Sequence, residues 1–182
     1  MSYLDVHVEI VEVDENLFNR IPLPCRSCTY WEDPRVFDTR PPEEDRIRAK
    51  KKWYRKVLEE YGVCGKILFY KRHSVGYIEF APPRFIERLG EYDSRWLSDS
   101  SNDRVFITCL YIISGYRRKG FGTLLLRDAL SQLKERGVRE VYTYARLGSS
   151  NNPSGPLDFW LKNRFTIVDL RLSNYPLVRK II

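Results

Sequence analysis

The stretch Val105-Phe106-Ile107-Thr108-Cys109-Leu110-Tyr111-Ile112-Ile113-Ser114-Gly115-Tyr116-Arg117-Arg118-Lys119-Gly120-Phe121-Gly122-Thr123 decides how this chain is read. Val105 to Ile113 is the most apolar run in the chain and is rich in β-branched and aromatic residues, which predicts a central strand buried on both faces. Three consecutive cations follow, Arg117, Arg118 and Lys119, then Gly120 and Gly122 with one residue between them. From Phe121 to Arg136 the period is helical: Gly122, Leu125, Leu126, Ala129, Leu130 and Leu133 share one stripe, and Gly137 supplies a stop. A helix N-terminus leaves backbone N–H groups unpaired and carries partial positive charge. Glycines there let a polyphosphate approach the backbone closely. Strand, basic glycine turn and helix together predict a phosphate cradle.

Arg117-x-x-Gly120-x-Gly122 fits the Arg/Gln-x-x-Gly-x-Gly/Ala signature and resembles the GNAT superfamily of acetyl-CoA-dependent N-acetyltransferases. The resemblance covers residues 64 to 182 well and the N-terminal third in outline. It implies acetyl-CoA as co-substrate, with the pyrophosphate held by the N–H groups of Arg117, Arg118, Lys119, Gly120, Phe121, Gly122 and Thr123. It also implies that the backbone of Leu110, Tyr111 and Ile112 pairs with the pantetheine arm, the N–H near Ile112 facing the thioester oxygen. Core packing is the other reading of the Leu110 and Ile112 side chains.

Working outward, residues 3 to 13 alternate as a first strand, and Asp14 to Pro42 reads as a long, Pro-punctuated loop with a short helix near Glu15 to Arg20. Glu43 to Tyr61 reads as a helix opened by acids and closed by Gly62. Its Lys50-Lys51-Lys52 run reads as a solvated face, flanked by acids. Cys64 to Lys71 and Ser74 to Phe80 predict a hairpin, Arg84 to Leu89 a short helix, Glu140 to Ala145 a strand, and Pro156 to Asn163 a short helix. Phe165 to Leu170 and Leu177 to Ile182 make a final strand pair. The β–helix–β crossover must be right-handed and parallel, so an α+β fold with a mixed sheet is predicted. The resemblance implies the GNAT form: a largely antiparallel sheet whose central parallel pair splays apart, flanked by helices. A single acetyltransferase domain over residues 1–182 is expected, with 1–62 on the acceptor side and 63–182 as cofactor-binding core.

A formal charge of +7 favours anionic partners, a CoA polyphosphate or nucleic acid. The charges are mixed and no aromatic-basic stacking motif occurs, which weighs against nucleic acid. No apolar run approaches membrane-spanning length and no signal-peptide core is seen, so a cytoplasmic location is expected. Dimers are frequent in the family, which leaves a homodimer open. Cys25-x-x-Cys28 fits half a zinc site, a redox pair, a local disulfide or plain buried thiols; Cys64 and Cys109 lie far off and His7 and His73 have no ligand spacing, so no metal is expected.

Acetyl transfer needs a base for the amine and an acid for the leaving thiolate. Glu79, between Ile78 and Phe80, is a carboxylate in an apolar strand and stands as the base, or as an outward strand residue. Relatives often read Asn-x-x-Ala-x-x-Phe-Tyr-x-x-x-Gly-Phe after the fifth strand. Here Asn152 and Trp160 take the Asn and Tyr places, with one residue inserted, and both would join the cofactor set. An indole is no proton source, so Tyr111, Tyr144, Tyr175 or a water would serve as acid. Tyr30, Trp31, Glu32 and Asp33 combine aromatics and carboxylates that would suit a cationic amine, or simply pack a loop. The Tyr-to-Trp change also motivates a rival reading, a non-catalytic acyl-CoA-binding module on the same fold.

Overall fold

The computed structural model describes residues 7–92, 101–148 and 155–182. In chain order these form β1 (Val8–Glu12), α1 (Pro34–Thr39), α2 (Glu43–Tyr61), β2 (Gly65–Tyr70), β3 (His73–Ala81), β4 (Arg104–Ile112), α3 (Phe121–Glu135), β5 (Glu140–Tyr144), α4 (Leu157–Lys162), β6 (Thr166–Asp169) and β7 (Leu177–Ile181). The seven strands make one sheet in the order β1-β2-β3-β4-β5-β7-β6, which puts β4 at its centre. Only β4 and β5 run parallel; the other neighbours are antiparallel. The expected mixed α+β architecture is therefore the observed one.

The helices form for local reasons. Three acids in the first turn of α2 complement its positive end, and Gly62, at φ 90°, closes it with its N–H bonded to the Leu58 carbonyl. Helix α3 buries Leu125, Leu126, Ala129, Leu130 and Leu133 on the predicted stripe. The short helix expected near Glu15 to Arg20 is a single 3₁₀ turn at Phe18–Arg20. Helix α1 was hidden in the loop; Pro34 fits its first turn, and Asp33 Oδ1 caps it by accepting from the Val36 N–H at 3.1 Å.

The core lies in two layers, one on each face of the sheet. One holds Phe18, Trp31, Tyr54, Val57, Ile67, Tyr77 and Phe106 under α1 and α2. The other holds Leu68, Ile78, Val105, Val141 and Trp160 under α3 and α4. Two irregularities at the centre create the site. Strands β4 and β5 pair only from Arg104 to Phe106, opposite Glu140 to Tyr142, and then diverge. At the fork the Thr143 hydroxyl donates to the Ile107 carbonyl at 2.9 Å. Opposite, the β3–β4 register slips: Glu79 faces Cys109 while Phe80 faces Ile107, so Thr108 is the extra residue of a bulge.

Candidate active site

Where β4 leaves β5, a cleft of about 880 Å³ opens. It is continuous from the turn that starts α3, along Leu110, Tyr111 and Ile112, to Glu32 and Lys50 beneath α2.

At the α3 end, Arg117, Arg118, Gly120, Phe121, Gly122 and Thr123 line the wall. Arg117 Nε donates to the Ile112 carbonyl at 2.8 Å, which ties the turn to the end of β4. Gly120 sits at φ 82°, and a Cβ there would meet open space, so its backbone faces an unfilled volume. A Cβ on Gly122 would lie 3.3 Å from the Phe159 ring and 3.7 Å from a Leu110 methyl. The Arg117 N–H is held by the Ser114 carbonyl at 3.2 Å, and beyond it the turn is a concave wall of backbone, basic side chains and missing methyls that suits a phosphorylated ligand. Lys119 does not line it; its Nζ lies 5.4 Å from the Tyr116 ring.

At the other end three buried charges meet. Lys50 Nζ donates to Glu32 Oε1 and to Glu79 Oε1, each at 2.7 Å, and all three side chains are at most 3% exposed. Glu79 has further donors: the Thr108 hydroxyl to Oε1 at 2.7 Å and the Tyr77 hydroxyl to Oε2 at 2.5 Å. The Thr108 contact follows from the bulge, which places Thr108 directly beside the strand position facing Glu79. Glu32 has only one cationic donor, Lys50, and lies against the Glu79 carboxyl, to which it can hydrogen-bond when protonated; its Oε2 accepts no hydrogen bond. The two carboxyls consequently diverge. Burial pushes Glu32 well above the usual carboxylate range, and Lys50 offsets this only in part while Glu79 adds to it. Glu79 is penalised by the same burial, yet Lys50 and its hydrogen bonds hold it below that range.

Between the two ends stand aromatic walls. Trp31 stacks on Tyr144 at 5.9 Å with the rings 7° from parallel, and meets Phe106 edge-on at 4.9 Å. Tyr92 packs against both Trp31 and Tyr144, and its hydroxyl hydrogen-bonds that of Tyr30. Buried Arg88 fixes this wall: its Nε donates to the Tyr30 carbonyl at 2.7 Å, its guanidinium lies 4.3 Å from the Tyr30 ring, and it bonds Asp38 at 2.9 Å. The Arg88 backbone N–H also holds the Trp31 carbonyl at 3.1 Å, so the segment bearing Glu32 is pinned on both sides.

Several expectations need correction. Glu79 does not line the cleft, and both its oxygens are taken by donors, so it is not placed to meet an amine; it touches the cleft through Lys50, Thr108 and the Glu32 carboxyl. Lys50 is not on a solvated face but 2% exposed. Trp160 is fully buried against Phe159 and Phe165, and Phe159 is the aromatic that reaches the cleft. Asp33 is spent on capping α1, whereas Tyr30, Trp31 and Glu32 all line the cleft, as do Tyr111, Tyr144 and Tyr175. Asn152 lies outside the described residues. The four cysteines are free thiols; Cys25 Sγ faces Cys109 Sγ at 3.5 Å rather than Cys28, and burial pushes Cys28 up to about 11, which leaves it a poor nucleophile at neutral pH. Among the described residues no cluster has the makings of a metal site, and no helix is long and apolar enough to cross a membrane.

A mixed sheet forks beside a glycine-opened helix, and the cleft between them is the candidate site. The acetyltransferase (GNAT) family model matches residues 26–157, and the chain belongs to that family. The fold is similar to that of the PaiA N-acetyltransferase of Thermoplasma acidophilum in complex with coenzyme A, at 17% identity over 96% of this chain and 99% of that one, TM-score 0.63. It is similar also to Naa50 of Arabidopsis thaliana in complex with the bisubstrate analogue CoA-Ac-MVNAL (17%, 96% and 99%, TM-score 0.58). A third is a GNAT acetyltransferase of Brucella melitensis in complex with acetyl-CoA (14%, 97% and 88%, TM-score 0.55). At these identities the likeness carries the fold. No protein of curated function matches the sequence.

Proposed function

We propose that this protein transfers an acetyl group from acetyl-CoA to a primary amine by direct attack of the amine on the thioester. The observation that carries this reading is one continuous cleft with a basic, glycine-lined turn at one end and a buried carboxylate at the other. The N–H groups of Arg118, Gly120, Phe121, Gly122 and Thr123 hold the pyrophosphate, and the side chains of Arg117 and Arg118 add positive charge there. The backbone of Leu110 to Ile112 flanks the arm bearing the thioester, on the side where β4 has parted from β5. The N–H near Ile112 is the donor assigned to the carbonyl oxygen as it gains charge.

Thiol release from acetyl-CoA over a panel of primary amines tests the assignment. Turnover with at least one amine is expected; tight CoA binding without turnover on any amine would instead favour a binding module. The leaving thiolate takes its proton from Tyr111, Tyr144, Tyr175 or water. Each tyrosine replaced by Phe loses only a hydroxyl, so the residue acting as acid shows a fall in kcat of roughly 100-fold with CoA affinity retained. If all three variants keep the parental kcat, water is the donor.

A further inference from the structure

The group that receives the acceptor's proton has not been placed, because Glu79 is withheld from the cleft. This inference rests on the amine-acetylating reading. We propose that Glu32 binds the acceptor as its ammonium ion and takes its proton, and that Lys50 and Glu79 are positioning residues that set the charge on Glu32.

Two carboxylates and one ammonium, all buried, leave one uncompensated negative charge, which is costly unless a proton or a second cation joins them. Glu79 does not accept that proton readily, since Lys50, Thr108 and Tyr77 already donate to it. Glu32 is the member with a vacant acceptor: Oε2 is buried, accepts no hydrogen bond, and belongs to a residue on the cleft wall. A buried polar atom without a partner calls for a missing one. A primary ammonium supplies both the hydrogen bond and the second positive charge, and Trp31, Tyr30 and Tyr144 offer aromatic surface beside it.

The proton balance is simple. The ammonium gives one proton to the Glu32 carboxylate and becomes a neutral amine. Its nitrogen then forms the C–N bond as the C–S bond breaks. The second proton shed by nitrogen goes to the leaving thiolate by way of the acid, and Glu32 returns its proton to solvent after product leaves. A carboxyl held above its ordinary range is a stronger base than a surface glutamate, which suits it to this step near neutral pH.

Opposite shifts separate this from a merely structural cluster. The ionisable groups facing Glu32 are Lys50 from α2, Glu79 from β3, Cys64 just before β2 and Cys28 from the preceding turn. Activity should rise with pH as Glu32 loses its proton. Glu32→Gln should cut kcat/KM by about 100-fold or more and abolish that acid limb. Glu79→Gln removes a repelling charge, so the limb moves to lower pH. Lys50→Met removes the attracting one, so the limb moves to higher pH. Infrared spectra of the free protein give an independent reading: a protonated-carboxyl band lost in Glu32→Gln should titrate lower in Glu79→Gln and higher in Lys50→Met. If Lys50→Met does not fold, the direction of Glu79→Gln decides alone. An acid limb that persists in Glu32→Gln, or a Glu79→Gln limb that stays put or moves up, overturns the proposal. Wild-type protein that turns over no amine while the infrared shifts occur as described would instead sink the acetylation reading and leave the charge coupling standing.

Discussion

Lys50→Met is expected to lower Tm by on the order of 10 °C at pH 8, because removing one partner of a buried ion pair costs about 3–5 kcal/mol and each kcal/mol moves Tm by about 2–4 °C at this chain length. The Met side chain fills nearly the same space, so the loss is electrostatic rather than a cavity. Without Lys50, the Glu32 and Glu79 carboxyls share a dry site with no cation, and both titrate higher in the folded than in the unfolded state. A raised folded-state pKa gives stability that is present below the unfolded carboxyl range, near pH 4.3, and is lost as pH rises through the folded value. The deficit relative to wild type should therefore be small at pH 5 and largest at pH 8, as read from denaturant unfolding at both. Adding Glu79→Gln to Lys50→Met should restore part of the loss, since one of the stranded charges is gone. Equal stability of Lys50→Met and wild type at pH 8 would show that the three charges are not buried together in solution.

That cluster also shows where sequence reading stops. Strand β4, the basic glycine turn and α3 were legible because each is local: composition gives the strand, spacing the turn, and period 3.6 the helix. The fork was implied only by resemblance. The bulge at Thr108 leaves no mark in an apolar run, since a shift in side-chain alternation cannot be seen when nearly every residue is hydrophobic. Glu32, Lys50 and Glu79 come from three segments, Lys50 being 18 residues from one carboxylate and 29 from the other. Taken singly, each had an ordinary local reading, and Lys50 vanished into a run of three lysines. A signal was present all the same. Lys50, Tyr54 and Val57 recur at the spacing of one helix face, and these are the residues of α2 that are buried. A lysine on an apolar stripe predicts a buried carboxylate partner, and Glu79, inside an apolar strand, was the matching half. Helix α1 was likewise readable from Asp33-Pro34, an N-cap followed by proline in the first turn. The aromatic wall was not, because it depends on Arg88 joining segments that only the fold brings together.

Gly120→Ala combined with Gly122→Ala should weaken CoA binding by roughly 10- to 100-fold, since each hydrogen bond to a charged phosphate oxygen is worth about 1.5–3 kcal/mol and added methyl groups hold the ligand off the backbone. The fold should barely notice. At Gly120, the φ of 82° makes alanine strained, at about 1–2 kcal/mol for a left-handed residue. At Gly122, within the first turn of α3, alanine gains about 0.5–1 kcal/mol of helix preference, and its methyl meets the edge of Phe159 at 3.3 Å, a side chain at the cleft wall, and a Leu110 methyl at an ordinary 3.7 Å. These terms nearly cancel, so Tm should move by only a few degrees. Isothermal calorimetry with two ligands makes the placement specific. CoA carries the pyrophosphate and pantetheine does not, so the double variant should lose affinity for CoA while its affinity for pantetheine stays at the wild-type value. An equal loss for both would mean that the methyls close the arm's channel rather than the phosphate cradle. An unchanged CoA affinity would mean that the turn opening α3 does not hold the diphosphate. In that case the acid limb set by Glu32 would belong to a site whose acyl donor enters by another route.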